Sequence, residues 1–135
     1  MIGTIVVTHG RIGEEMVRAV LSIVKDEPPL RGVCLEQGED TGRMRRRIQE
    51  AIQSVDQGEG ILLLSDMFGG TPSNICLSFL EPDHVEVITG VNLPMLIKIA
   101  SFKEKMPLSE TADFIRKYGQ KNIARADEVL QGKTH

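Results

Sequence analysis

The fold is decided by the stretch Gly3-Thr-Ile-Val-Val-Thr-His-Gly-Arg-Ile-Gly13. Its β-branched run, Thr4 to Val7, is typical of a parallel strand that is buried on both faces. The run stops at Thr8-His9-Gly10, and a helical pattern begins near Ile12. We therefore expect His9 in the loop at the carboxyl end of the first strand, the edge of open α/β sheets where ligands bind.

A second stretch, further along the chain, repeats this design. It reads Ile61-Leu-Leu-Leu-Ser-Asp-Met-Phe-Gly-Gly-Thr-Pro-Ser-Asn74. Its apolar run is the most hydrophobic of the predicted strands and ends at Ser65, just before Asp66. Thr71 and Pro72 then predict the start of a helix, since Thr is a good N-cap and Pro fits the first helical turn.

The rest of the chain continues the alternation of strands and helices. The predicted strands are Ile2 to Val7, Arg31 to Glu36, Ile61 to Ser65 and His84 to Thr89, and the predicted helices are Ile12 to Lys25, Asp40 or Thr41 to Val55, Thr71 to Leu80, Asn92 to Phe102 and Ser109 to Gly119. This order indicates an α/β fold with a doubly wound, mainly parallel sheet of flavodoxin-like strand order 2-1-3-4. We expect one domain over residues 1 to 135. The pattern from Asn122 to Leu130 leaves two alternatives open, a short edge strand or a resumed helix.

The composition argues against nucleic-acid, membrane-spanning and metal functions. The formal net charge is -3 and aromatic residues make up 4%, so neither a basic surface nor base-stacking rings are expected. No apolar run approaches the roughly 20 residues of a membrane helix, and no signal-peptide pattern is present, which predicts a soluble, cytoplasmic protein without direct membrane insertion. Cys34 and Cys76 lie in apolar segments and are expected as buried free thiols. The histidines have no paired spacing, so neither a metal nor another cofactor is expected.

Of the histidines, only His9 lies where chemistry is expected. His84 is interpreted as a surface residue at the start of a strand, and His135 as a frayed terminus. In the predicted strand order, strands one and three are neighbours, and the crevice between their carboxyl ends is the topological switch point. His9 and Asp66 are therefore expected to face each other across one strand spacing, about 5 Å.

A carboxylate beside an imidazole has a definite chemical effect. When Asp66 accepts a hydrogen bond from one ring nitrogen of His9, it fixes the tautomer, and the other nitrogen exposes its lone pair as a nucleophile. Two glycines let the backbone approach a ligand closely, and amides at a helix start favour an anion. The candidate phosphoryl-binding residues are Gly10, Gly69, Gly70 and Thr71, the last through its hydroxyl. The pattern predicts that His9 accepts a phosphoryl group.

Three motifs together resemble a known family. They are Thr8-His-Gly10, Ser65-Asp-Met-Phe-Gly-Gly-Thr-Pro-Ser-Asn74 and Gly90-Val-Asn-Leu-Pro-Met-Leu96. In this order and spacing they resemble the enzyme IIA domain of the mannose-family sugar phosphotransferase system, and the resemblance covers essentially the whole chain. It implies that His9 is the phosphorylated residue, that Asp66 holds its ring, and that Thr71 stands where the family has a hydroxyl residue near the phosphoryl group.

The resemblance also implies protein partners. Family members accept phosphate from the histidine-containing carrier HPr and pass it to a IIB domain, with a membrane permease as a further associate. They are homodimers in which a C-terminal antiparallel edge strand can be exchanged between subunits, and Asn122 to Arg125 is the segment here that could play that part. The chain stops at His135 without a fused IIB domain, so a separate IIB protein is the expected acceptor.

Three functional classes remain to be weighed. The first is a phosphocarrier transferase. The second is a regulatory module that becomes phosphorylated on His9 but acts by binding a target protein. The sequence does not distinguish these two classes. The third is a phosphatase or mutase of the histidine type, which normally has an arginine directly before the histidine and a second catalytic histidine. Thr8 occupies the first position, and His84 begins a strand at the opposite edge of the sheet, so this class is disfavoured.

Overall fold

The structure is a computed structural model that describes residues 1 to 132, and His135, predicted as a frayed terminus, lies outside this range. Four strands alternate with helices along the chain. The elements are β1 (Gly3–His9), α1 (Ile12–Ile23), β2 (Leu30–Leu35), α2 (Thr41–Val55), β3 (Ile61–Ser65), α3 (Thr71–Leu77), β4 (Val85–Thr89), α4 (Leu93–Ser101), α5 (Leu108–Lys121) and α6 (Ala126–Leu130).

The four strands form one sheet in the order β2-β1-β3-β4, and every neighbouring pair is parallel. This confirms the predicted doubly wound α/β fold and its strand order. The pairing of β1 with β3 ends at Val7 and Ser65. His9 and Asp66 therefore lie just beyond the last pair of two adjacent strands, at the same edge of the sheet.

The sheet is covered on both faces, which explains the unbroken apolar runs of its central strands. Val6, Leu62 and Leu64 pack on one face with the buried sides of α1, α4 and α5. Ile5 and Leu63 pack on the other face with α2 and α3. Both central strands are thereby enclosed, and their carboxyl ends are held in place by packing on two sides.

The helix caps agree in part with the sequence. Asp40 accepts a hydrogen bond from the Arg43 amide at 3.0 Å, so Asp40 rather than Thr41 is the N-cap of α2. Asn92, where the predicted fourth helix begins, accepts one from the Met95 amide at 3.2 Å and is the N-cap of α4. The prediction of Thr71 as the cap of α3 is wrong. The capping position is Gly70, whose backbone has φ +86° and ψ 173° and which offers no side-chain acceptor.

Several element ends also differ from the predictions. His9 is the last residue of β1, paired with Leu35, because the ladder to β2 continues two residues beyond Val7. The prediction that α5 ends at Gly119 is wrong, since the helix continues to Lys121. Gly119 serves close packing instead: a Cβ atom there would lie 2.5 Å from the Met95 sulfur. Further differences concern α1, which ends at Ile23 instead of Lys25, and α3, which ends at Leu77 and continues as turns.

The C-terminal segment shows the largest difference. Within residues 1 to 132 the sheet has no antiparallel strand, so the edge strand predicted for 122 to 125 is wrong for the single chain. These residues form an exposed connection between α5 and α6. A turn at the end of α5, in which the Ile123 amide donates to the Gln120 carbonyl, directs the chain into α6 rather than along the free edge of β4.

Candidate active site

The adjacent strands β1 and β3 bring His9 and Asp66 into contact. The Nδ1 atom of His9 lies 2.8 Å from the Oδ2 atom of Asp66. The histidine side chain is 50% exposed and the aspartate side chain is 15% exposed. The carboxylate therefore lies at the base of the crevice, and the imidazole extends from it towards solvent.

The Asp66 carboxylate is fixed by three N–H donors. Its Oδ2 atom accepts from the His9 ring and also from the His9 backbone amide, at 3.1 Å. Its Oδ1 atom accepts from the Met67 amide, also at 3.1 Å. Because a carboxylate is only an acceptor, the ring nitrogen facing it is the one that carries the proton. The lone pair of the imidazole is then on Nε2.

A glycine backbone approaches that free nitrogen. A Cβ atom placed on Gly70 would lie 3.3 Å from His9 Nε2 and 3.4 Å from His9 Cε1. Gly70 also has φ +86° and ψ 173°, a conformation that is essentially restricted to glycine. Gly69 has φ +88°, but a Cβ atom there would meet nothing within 4 Å. Gly70 is thus the residue at which a side chain would crowd His9 Nε2.

The backbone amides of the predicted phosphoryl-binding residues differ in whether they already donate a hydrogen bond. Within the described part of the chain, the amides of Gly69, Gly70 and Thr71 donate to no protein acceptor. Thr71 is exposed at the start of α3, and its hydroxyl has no hydrogen-bond partner among the same residues. The Gly10 amide, in contrast, donates to the Leu35 carbonyl at 3.2 Å. The β3–α3 loop therefore has free donors next to Nε2, whereas the Gly10 amide belongs to the sheet.

Thr8 is a residue of this region that sequence reasoning missed. Its buried hydroxyl accepts a hydrogen bond of 2.7 Å from the Gly13 amide, in the first turn of α1. The residue at the capping position of α1, Arg11, makes no side-chain cap. A threonine five residues before a helical glycine is the only signal in the sequence, and it is informative only once the ends of β1 and α1 are known. Thr8 closes the turn that follows His9.

Both cysteines are buried thiols whose pKa values are raised. Burial, together with the negative charge of Asp66, raises the pKa of the Cys76 thiol to about 12. Burial likewise raises the pKa of Cys34. Both thiols are buried and free, as predicted. They stay protonated near neutral pH, so neither offers a thiolate nucleophile.

Neither a metal-binding cluster nor a membrane-spanning helix is present among the described residues. Among residues 1 to 132, no group of three or more His, Cys, Asp or Glu side chains is arranged to hold a metal ion. In the same part of the chain, no helix is long and apolar enough to cross a membrane.

Comparison with known proteins decides the family. The family model EIIA-man, described as PTS system fructose IIA component, matches residues 3–116. The chain belongs to the EIIA-man family. Members of this family are components of the sugar phosphotransferase system, so the resemblance found in the three sequence motifs is confirmed.

Relatives and solved structures of EIIA-man type cover most of the chain. A PTS system fructose-specific EIIA component from Bacillus subtilis is 27% identical over 132 residues, which is 97% of this chain and 90% of that protein. A PTS system mannose-specific EIIAB component from Escherichia coli is 25% identical over 107 residues, or 78% of this chain and only 33% of that protein. The crystal structure of a PTS IIA protein associated with the fucose utilization operon of Streptococcus pneumoniae has a TM-score of 0.79 at 26% identity, and 95% of each chain is covered.

Proposed function

We propose that this EIIA-man protein is a phosphocarrier. His9 accepts a phosphoryl group from phospho-HPr through Nε2 and passes it to a IIB component. The IIB component in turn acts with a membrane permease. The observation that carries the proposal is the 2.8 Å contact between His9 Nδ1 and Asp66, which leaves Nε2 as the free nucleophile at an exposed position. Family membership supports it, since the relatives named above are components of sugar phosphotransferase systems.

The transfer conserves one high-energy phosphorus–nitrogen bond. The lone pair of His9 Nε2 attacks the phosphorus atom of the donor phosphohistidine, and the bond from phosphorus to the donor's ring nitrogen breaks, with its electron pair returning to that nitrogen. Positive charge develops on the His9 ring as the new bond forms. The Asp66 carboxylate, in contact with the protonated Nδ1, stabilises this charge. In the second half of the cycle, a nucleophile of IIB attacks the same phosphorus atom and Nε2 leaves.

The β3–α3 loop is proposed to hold the phosphoryl oxygens. The amides of Gly69, Gly70 and Thr71 have no other acceptor among the described residues, and the Thr71 hydroxyl adds a further donor. Donors that are already in place stabilise transferring charge without reorganisation. Gly10 contributes less, because its amide would have to be shared with the Leu35 carbonyl.

The decisive experiment compares two histidine variants. The protein is incubated with phosphoenolpyruvate, enzyme I and HPr, and the modification is mapped by mass spectrometry under alkaline conditions, because phosphohistidine is labile in acid. We expect His9→Ala to take up no phosphate. The matched control, His84→Ala, removes an exposed histidine just before β4 and should be phosphorylated like the wild type. Normal phosphate uptake by His9→Ala would contradict the proposed function.

We also propose that the chain forms a homodimer through its C-terminal segment. Ile123, Val129 and Leu130 are large apolar residues that are 74%, 50% and 87% exposed in the single chain. Among the described residues, β4 pairs with β3 on one side, and its other edge has no neighbouring strand. Pairing of residues 122 to 125 with the free edge of a partner's β4 would cover both features. Light scattering tests this: a stable monomer of the intact protein, or an unchanged oligomer after deletion of residues 122 to 135, would contradict it.

A further inference from the structure

The turn between β4 and α4 contacts the strand that ends beside Asp66. It is formed by the start of the motif Gly90-Val-Asn-Leu-Pro-Met-Leu96. The backbone amides of Gly90 and Val91 both donate to the carbonyl oxygen of Ser65, the last residue of β3, each at 3.0 Å. The end of β3 is therefore hydrogen-bonded twice to this turn.

These two hydrogen bonds act on the backbone of Asp66. The Ser65 carbonyl and the Asp66 amide belong to one planar peptide group. Hydrogen bonds to the carbonyl oxygen fix the plane of that group, and the Asp66 side chain projects from the next Cα atom. The carboxylate itself is held by the N–H groups of His9 and Met67. Asp66 is thus supported at both ends, at its backbone by the β4–α4 turn and at its carboxylate by the site.

Asn92 connects the same turn to two helices. Its Oδ1 atom accepts a hydrogen bond from the Met95 amide at 3.2 Å, which caps α4, and its Nδ2 atom donates to the Gly119 carbonyl of α5 at 3.0 Å. A backbone amide can only donate and a backbone carbonyl can only accept, so a single orientation of the side-chain amide satisfies both contacts. A Cβ atom on Gly119 would lie 2.5 Å from the Met95 sulfur. The turn is therefore fixed where α4 and α5 pack closely together.

A helix cap alone does not require asparagine at position 92. Aspartate and serine cap helices about as well as asparagine does. Among these residues, only asparagine has an NH₂ group that can donate while a separate oxygen atom accepts. The hydrogen bond to Gly119 uses this second group. Asn92 therefore does two things at once, since it caps α4 and links the turn to α5.

We infer that Asn92 is a positioning residue for the candidate active site. By linking the β4–α4 turn to α5, it holds the amides that fix the Ser65 carbonyl, and through that carbonyl it sets the direction in which Asp66 meets the His9 ring. Reacting groups need supporting contacts that hold them to within roughly 0.5 Å of the productive geometry. The expected effect on phosphoryl transfer rests on the proposed function, whereas the expected effect on the His9 ring does not.

Two variants of Asn92 test this link. Asn92→Asp keeps an acceptor for the Met95 amide but places a carboxylate oxygen against the Gly119 carbonyl, so the cap remains and the link to α5 is lost. Asn92→Ala removes both contacts. The matched control is Asp40→Ala, which removes the corresponding cap of α2, a helix on the other face of the sheet. Urea denaturation measures how much stability each variant loses.

The first measurement is the tautomer of the His9 ring, which is read from the ¹⁵N chemical shifts of its imidazole nitrogens. In the wild type we expect the proton on Nδ1, which lies 2.8 Å from Asp66 Oδ2. In both Asn92 variants we expect a larger share of the form protonated on Nε2, because a displaced carboxylate no longer selects one nitrogen. Asp40→Ala should keep the wild-type tautomer even where its loss of stability is as large.

The second measurement is the rate of transfer from phospho-HPr. Both Asn92 variants should be about tenfold slower than the wild type, because a small displacement of reacting groups is costly, and Asp40→Ala should be unchanged. The wild-type tautomer in Asn92→Asp would overturn the inference, as would a shifted tautomer with an unchanged rate. Equal changes in Asp40→Ala would overturn it by showing a general effect of lost stability. Failure of both Asn92 variants to fold would make Asn92 a structural residue and would overturn it as well.

Failure of the proposed function has a different signature. In that case the wild-type protein takes up no phosphate from phospho-HPr, but the shift of the His9 tautomer in the Asn92 variants is still measurable and still tests the positioning role. If the wild type is phosphorylated on His9 while the Asn92 variants keep its tautomer and its rate, the phosphocarrier function stands and only the positioning role of Asn92 is wrong.

Discussion

The two strand–helix junctions that form the site look alike in sequence but are built differently. In the junction from β1 to α1, the Thr8 hydroxyl accepts from the Gly13 amide and the Gly10 amide donates to the Leu35 carbonyl. In the junction from β3 to α3, Gly70 offers no side-chain cap, and the loop amides have no acceptor in the part of the chain that is described. In the first junction, which we call the closed junction, these backbone and side-chain groups are hydrogen-bonded to each other. In the second, which we call the open junction, backbone donors are left without acceptors.

This difference separates two tasks. Under the proposed function, the closed junction holds His9, whose ring would have to keep one orientation during each transfer. Under the proposed function, the open junction would offer its free donors to the phosphoryl group on His9. Asp66 joins the two, because its carboxylate accepts from His9 on one side and from the Met67 amide on the other. Substitutions in each part should therefore have distinct effects on rate and stability.

The largest effect on the transfer rate is expected at Asp66, which contacts both junctions. Asp66→Asn keeps the shape but removes the charge, and its amide group must face either His9 or the Met67 amide with a donor. We expect transfer from phospho-HPr to slow roughly a hundredfold, which corresponds to about 2–4 kcal/mol of barrier. Rapid-quench measurement gives the rate, and Asp113→Asn, on the exposed face of α5, is the control. An unchanged rate would remove Asp66 from the mechanism, and a loss of folding would make it a structural residue.

An intermediate effect is expected in the open junction. Gly70→Ala and Gly69→Ala both place a side chain at positive φ, so each should lose about 1–3 kcal/mol of unfolding free energy. Only Gly70→Ala also puts a methyl group 3.3 Å from His9 Nε2. Its transfer rate should therefore fall about tenfold further than that of Gly69→Ala, because a small displacement of reacting atoms is costly. Equal losses in the two variants would show that backbone strain, rather than crowding of Nε2, controls the rate.

The smallest effect on transfer is expected in the closed junction. Thr8→Val preserves the buried volume but leaves the Gly13 amide without its acceptor, which should lower the free energy of unfolding by about 1–3 kcal/mol. Thr8→Ser retains the hydroxyl and should recover most of that loss. Urea denaturation of the three proteins measures the difference. If Thr8→Ser is as unstable as Thr8→Val, the methyl group matters and the hydrogen bond does not.

Topology explains why so much of the site could be predicted. Once strands are recognised from their apolar runs, the order 2-1-3-4 places the carboxyl ends of β1 and β3 side by side, so His9 and Asp66 had to be neighbours. Two properties of the pair were not predictable. The pairing of His9 with Leu35 depends on where β1 stops pairing with β2, and the proximity of Gly70 to Nε2 depends on loop dihedral angles.

The misplaced elements have a common physical cause. Gly119 suggested a helix end from its propensity, but its position against Met95 is set by the packing of α4 on α5. The sequence places Thr8 directly after the first predicted strand, and its role as a cap appears only when α1 folds back over β1. The segment 122 to 125 was assigned by resemblance to a strand, and a strand needs a neighbour that the single chain does not provide. In each case a tertiary contact, which local sequence does not specify, decides the outcome.

We propose that Asp66 determines which ring nitrogen of His9 accepts the phosphoryl group. Identifying the phosphorylated nitrogen tests this directly. The protein is labelled with ¹⁵N, phosphorylated with phospho-HPr, and studied by NMR of the imidazole nitrogens and the phosphorus nucleus. We expect a phosphorus–nitrogen bond at Nε2 and a proton retained on Nδ1, which faces Asp66 Oδ2 at 2.8 Å. Phosphate bound to Nδ1, or to any residue other than His9, would contradict it.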